Sequence, residues 1–211
     1  MMKKTSYLTT RNHAKKVNVW FTVLRPFQKH WKQWDAKESA LLVIDVQRYF
    51  FDLTSHAFVP VGPFVKKNIQ ALVEKFRAQG RPIIFTIFAV QKGEKDVILN
   101  WWKESVKEGS PAAALSMEVG NDFVVRKKNY SAFSGTDLET ILKKAGVKKV
   151  VITGVLSNLC CETTARDAFN RGYDVFFVAD ATGAYNEGMH KTALESLSYG
   201  FATPLKTDDL L

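Results

Sequence analysis

Beyond a short N-terminal arm, the sequence predicts an α/β fold built from parallel βαβ units with helices on both faces. Two observations carry this. Short apolar, β-branched runs of strand length recur along the chain, and stretches with helical spacing of apolar residues separate them. Glycines at helix-stop positions (Gly80, Gly146, Gly172) punctuate the pattern. In such sheets ligands collect beyond the carboxyl ends of the strands, so reactive side chains are sought there.

The elements follow in order. Ala40–Asp45 is a buried run ending in a carboxylate. Phe64, Ile69, Leu72, Val73 and Phe76 form a helical stripe over 64–79 that Gly80 closes, and Pro82–Phe88 is the second strand. Residues 96–108, with Trp101 and Trp102, read as a helix, and Phe123–Arg126 as the third strand. Thr136 and Glu139 fit a capping box opening a helix that Gly146 ends. Lys149–Gly154 is a strand, 161–171 a helix ending at Gly172, and Asp174–Ala179 the fifth strand. A helix over 187–199 and a short strand near 201–206 complete the chain.

The 211 residues suit one domain, and no apolar run approaches the roughly 20 residues of a bilayer-spanning helix. The net charge of +9 is concentrated: residues 1–34 hold eight Lys or Arg and no acid, while the remainder carries 22 basic and 21 acidic residues. The chain therefore divides into a basic, aromatic arm (1–35) and a nearly neutral domain (36–211). Three readings of the arm stand open. Its aromatics (Trp20, Phe21, Phe27, Trp31, Trp34) pack on the domain or a second subunit; its charge meets an acidic partner; or it is an organelle-targeting segment, against which its scarcity of Arg argues. Neither nucleic acid nor membrane is an expected partner. The two cysteines, Cys160 and Cys161, are adjacent and poorly placed to bridge, which fits free thiols in a reducing, cytoplasmic setting.

Three strand ends carry reactive side chains: Asp45 after the first strand, Lys127 after the third and Cys160 just past the fourth. Alone, each has a plain explanation as a helix cap, a solvated lysine and a small buried hydrophobe. Together they supply a base, a cation and a nucleophile. A helix N-terminus and a nearby Lys both favour a thiolate, and a carboxylate accepts the thiol proton.

Three segments bear a resemblance to a known family: Ala-Leu-Leu-Val-Ile-Asp-Val-Gln (40–47), Val-Val-Arg-Lys-Lys-Asn-Tyr-Ser-Ala-Phe (124–133) and Thr-Gly-Val-Leu-Ser-Asn-Leu-Cys-Cys-Glu-Thr-Thr-Ala-Arg-Asp-Ala (153–168). In this order and spacing they resemble the isochorismatase-like cysteine hydrolases over residues 39–211. The resemblance implies a three-layer α/β/α fold with a mostly parallel six-stranded sheet and an Asp45–Lys127–Cys160 triad. It selects Lys127 over Lys128, and Cys160 over Cys161, which becomes a packed thiol. It further implies a cis peptide at Val155–Leu156, an oxyanion hole from the backbone N–H groups of Leu156 and Cys160, and a homodimer or homotetramer. The implied reaction is hydrolysis of a C–N bond in a small amide, ureide or carbamoyl compound through a thioester. Vinyl ether hydrolysis of the isochorismatase type is the alternative, and a non-catalytic binding protein the alternative of another class.

The sequence departs from nicotinamidases, which resemble it in the triad but carry an Asp-x-His metal motif after the second strand. Here that stretch (88–96) contains no His, and the four histidines, His13, His30, His56 and His190, are scattered. No metal or other cofactor is expected, and nicotinamide is not the expected substrate. Candidate pocket residues are Phe50, Phe51, Phe88, Gln91, Trp101, Trp102, Tyr130 and Phe133, with Asn158 touching substrate or holding its loop. Arg166 and Asp167 are expected to tie their helix to its neighbours.

Overall fold

The structure is a computed structural model that describes residues 3–91, 93, 94 and 97–211. Six strands, β1 (Ser39–Ile44), β2 (Ile83–Phe88), β3 (Phe123–Lys127), β4 (Lys149–Val155), β5 (Asp174–Gly183) and β6 (Thr203–Leu205), form one sheet in the order β3-β2-β1-β4-β5-β6. Every pairing is parallel. β1, β2 and the inner part of β4 are buried along their whole length, which is why they read as continuous apolar runs rather than alternating ones.

The chain steps from β1 to β2 to β3 in one direction, then crosses back to β4 and continues to β5 and β6 in the other. Right-handed crossovers therefore place the two groups of connecting helices on opposite faces. The helices are α1 (His13–Leu24), α2 (Arg48–Phe51), α3 (Gly62–Ala78), α4 (Val97–Trp102), α5 (Leu138–Lys144), α6 (Glu162–Asn170) and α7 (Glu187–Gly200). The reversal of direction between β1 and β4 opens a crevice at their carboxyl ends.

Several local expectations need correction. The helix expected over 96–108 is only Val97–Trp102, because Lys103 takes a left-handed conformation (φ 60°) that ends it; the expected first residue, Asp96, lies outside the described residues. The capping box is not formed. Asp137 occupies the N-cap, while Thr136 donates to the Ala132 carbonyl at 2.5 Å and Glu139 pairs with Lys143 at 2.7 Å. The last strand is shorter than its apolar pattern, and β5 runs four residues further than the sequence indicates.

The arm carries structure that the sequence reading did not assign: α1 and a 3-10 turn over Arg25–His30. α1 buries Val17, Trp20 and Leu24, one helical stripe, and Tyr7 and Leu8 join the same core. Trp34 meets Phe176 edge-on with ring centroids 5.0 Å apart.

Candidate active site

Asp45 follows β1 directly and holds a left-handed backbone conformation (φ 52°), a strained state for a residue with a Cβ. Thr86 of β2 fixes it from both sides. Its hydroxyl accepts from the Asp45 N–H at 3.0 Å and donates to Asp45 Oδ1 at 2.6 Å. The other carboxylate oxygen, Oδ2, lies 2.7 Å from Lys127 Nζ, and both side chains are fully buried. Lys127 is the last residue of β3, paired with Phe88. Its ammonium also donates to the Asn129 carbonyl at 3.0 Å and sits 5.3 Å from the centre of the Phe88 ring.

The third group arrives from β4. Gly154 has φ 112°, and a Cβ there would stand 2.0 Å from the Ile44 carbonyl oxygen, so only glycine lets the two central strands close up. The Val155–Leu156 peptide is cis. A π-helical turn, Ser157–Cys161, leads into α6 and places Cys160 at the head of that helix. The charges of both Asp45 and Lys127 act on the Cys160 thiol. The loop carrying Lys127 is tied to α6 by the Tyr-Ser-Ala-Phe segment: Ser131 Oγ donates to Asp167 at 2.5 Å and the Ala132 N–H donates to Thr164 Oγ1 at 3.0 Å. Arg166 bonds Glu162 and Ser196 Oγ. Cys161 is buried, with its Sγ 3.9 Å from the Thr153 carbonyl oxygen.

Burial pushes the Cys160 thiol up to about 12; the Lys127 charge opposes this and the Asp45 charge reinforces it. Burial thus favours the neutral thiol, against the pull of the helix N-terminus and the lysine toward a thiolate. Burial works against the charge on Lys127, but Asp45 and the Cys160 sulfur outweigh it and hold the ammonium above its ordinary pKa.

Above Cys160 lies a cavity of about 70 Å³ lined by Tyr49, Phe50, Phe88, Ile98, Trp102, Glu104, Tyr130, Leu156, Leu159 and Tyr185. Phe50, Phe88, Trp102 and Tyr130, four of the candidate pocket residues, line it, and the Trp102 indole N–H donates to the Tyr130 hydroxyl at 2.7 Å. Five other candidates are not in this wall. Phe51 packs on Gly62 and faces a separate surface groove. Phe133 stacks on Tyr173 beneath the Arg171 guanidinium. Gln91 is exposed, its N–H donating to Glu94. Asn158 lies beside Glu162 and Met189 of neighbouring helices. Trp101 points its large surface to solvent, being 76% exposed.

Thr86 was missed although it had a signal, as the one polar residue inside the run Ile-Ile-Phe-Thr-Ile-Phe (83–88). Tyr49, Ile98, Glu104, Leu159 and Tyr185 had none, because they come from four separate segments.

Among the described residues no group of three or more His, Cys, Asp or Glu side chains is clustered for a metal. His13 meets Asp180, His56 meets Tyr49 and Glu104, and His190 is buried against Ser157, so the histidines serve separate places. Of the 88–96 stretch, Lys92, Lys95 and Asp96 lie outside the described residues.

A parallel sheet with a thiol, a carboxylate and an ammonium at its carboxyl edge defines a class of hydrolase folds, and comparison with known proteins names it. The Isochorismatase domain model matches residues 39–209, and the chain belongs to that family. It is 34% identical over 193 residues to Nicotinamidase 3 of Arabidopsis thaliana, covering 88% of this chain and 93% of the relative. An N-carbamoylsarcosine amidase from Thermoplasma acidophilum superposes with a TM-score of 0.72 at 26% identity, covering 81% of this chain and 96% of that one. A cysteine hydrolase from Pseudomonas syringae pv. phaseolicola 1448A shares the fold with a TM-score of 0.81 at 24% identity, covering 84% and 93% of the two chains. No described helix is long and apolar enough to cross a membrane.

Proposed function

We propose that the chain is a cysteine hydrolase of small amides, with Cys160 as nucleophile, Asp45 as base and acid, and Lys127 as the cation that holds charge between them. The observation that carries this reading is the buried Asp45–Lys127 pair at 2.7 Å, whose charges act on the Cys160 thiol in the lining of an apolar cavity. As sulfur attacks the carbonyl carbon, Asp45 takes the thiol proton and Lys127 stabilises the anionic centre. The N–H groups of Leu156 and Cys160 receive the developing oxyanion; one such donor supplies about 3 kcal/mol in acyl-transfer enzymes. Protonated Asp45 then gives its proton to the leaving nitrogen, and a thioester remains. Asp45 next deprotonates a water that attacks the thioester, and the thiol returns with release of the carboxylic acid.

The cavity selects a small, flat, largely apolar acyl group. Tyr130, whose hydroxyl already accepts from Trp102, has its own proton left to donate to such a substrate. Similarity to a nicotinamidase returns nicotinamide to the panel despite the missing histidines. The test is ammonia release from primary amides, ureides and carbamoyl compounds, nicotinamide among them, with Cys160→Ala as control. Release that disappears in the variant supports the reading. No release from any of them, with Cys160 still alkylated by iodoacetamide, overturns it and favours the vinyl ether reaction, in which Asp45 alone donates a proton. We also place the enzyme in a reducing, cytoplasmic setting on its two free cysteines, and as a homodimer or homotetramer on the exposed apolar residues Val97 and Trp101 of α4.

A further inference from the structure

The segment 3–20 lies outside the matched family domain, yet it grips two adjoining pieces of chain, one of which carries Tyr185 of the active-site cavity wall. The first piece is the loop after β5. The Thr5 N–H donates to the Tyr185 carbonyl at 2.9 Å, and the Ala184 N–H donates to the Tyr7 hydroxyl at 3.0 Å. The Lys4 ammonium stands 4.0 Å from the centre of the Tyr185 ring and donates at 2.5 Å to the His56 carbonyl. His56 in turn meets Tyr49, another cavity residue, at 3.2 Å. The second piece is α7. The Trp20 indole N–H donates to Glu187 at 3.0 Å, and Lys16 pairs with the same carboxylate. Tyr7 and Trp20 flank the ring of His190 at 5.5 and 4.8 Å, and His190 Nδ1 lies 3.0 Å from Ser157 Oγ, the first residue of the Cys160 turn.

We infer that residues 3–20 form a strap that positions Tyr185 in the cavity wall, and that the Tyr185 hydroxyl is a specificity-determining donor to an acceptor on the substrate beyond its scissile carbonyl. Tyr185 lines the cavity with Cys160, and burial keeps its phenol protonated and able to donate. Lys4 and Tyr7 are positioning residues that act through it. Without the strap, the β5–α7 loop loses both backbone partners and its cation, and the hydroxyl no longer has a fixed place. This inference rests on the amide hydrolase reading of the site.

The test uses the full chain with Tyr185→Phe and with the pair Lys4→Met, Tyr7→Phe. Both are expected to raise KM for the best amide by about two- to tenfold, the range of one neutral hydrogen bond. kcat should stay within about twofold, and Cys160 alkylation by iodoacetamide should be unchanged. Hydrogen exchange at the Thr5 amide rises in the paired variant, while that of β1 and β4 does not. An unchanged KM in either variant overturns the inference. So does a joint fall of kcat, alkylation rate and core protection, which marks mere structural support. If the parent hydrolyses no amide, the functional reading fails separately. The strap is then judged by Cys160 alkylation with N-benzyl iodoacetamide relative to iodoacetamide: a preference reduced in the paired variant supports it, and an unchanged preference refutes it.

Discussion

In the proposed reaction Cys160 and Asp45 share one proton, and burial bears on which of them holds it. A thiol pushed up to about 12 favours its neutral form at neutral pH, so in the proposed reaction the proton moves to Asp45 as sulfur meets carbon. The free protein is therefore expected to show an iodoacetamide reaction rate at Cys160 that climbs through pH 8 and 9 with no plateau below pH 10. A plateau near the ordinary thiol value would sink this account. The same shift carries a stability sign. The folded-state pKa lies above the unfolded one, so this contribution is intact below about pH 9 and is lost as pH rises toward 12. Thr86 shows what a residue-level reading misses: a threonine in a strand passes as β propensity until its hydroxyl is found holding Asp45 by both its N–H and its carboxylate.

At the scale of elements, β1 and β4 set the site by how closely they approach. Gly154 faces Ile44 in the pairing register and leaves no room for a methyl group. Gly154→Ala combines a 2.0 Å clash against backbone with an unfavourable φ, and is expected to cost about 3 kcal/mol or more. Urea denaturation measures it; a loss below about 1 kcal/mol would mean that the strands yield easily. The sequence signalled β4 clearly through its β-branched residues, and the Cys160 turn through its motif. It overextended α4, since nothing in Trp101-Trp102-Lys103 announces a left-handed lysine. It also misread Thr136, whose hydroxyl found the Ala132 carbonyl and left Asp137 as the N-cap.

At the scale of the molecule, the arm and the domain share one core. Tyr7, Trp20 and Leu24 are buried with the sheet, and buried Asp180 joins His13 of the arm to Thr207 near the C-terminus. His190 sits at the centre of this junction. Burial depresses its pKa to about 4 from 6.5, so the folded state keeps it neutral while the unfolded chain protonates it. This contribution is present above about pH 6.5 and is lost as pH falls through 4, amounting to about 3 kcal/mol. Denaturant unfolding at pH 7 and pH 4 should therefore show a loss in the parent that His190→Gln lessens. Equal losses in both proteins would refute the assignment.

The sequence alone determined the α/β class, the order of the strands along the chain, and Asp45, Lys127 and Cys160 as the residues to watch. Local periodicity encodes the first two, and motifs carried within single segments encode the third. The tertiary structure decided which aromatics surround Cys160, that burial pushes its thiol pKa up, and that the arm reaches the cavity wall. Those properties depend on distances between residues such as Tyr7 and Ala184, or Lys4 and Tyr185, that lie far apart in sequence and meet only when the sheet and its helices pack. Burial, which sets the pKa of Cys160 and of His190, belongs to the whole fold and to no segment of the chain.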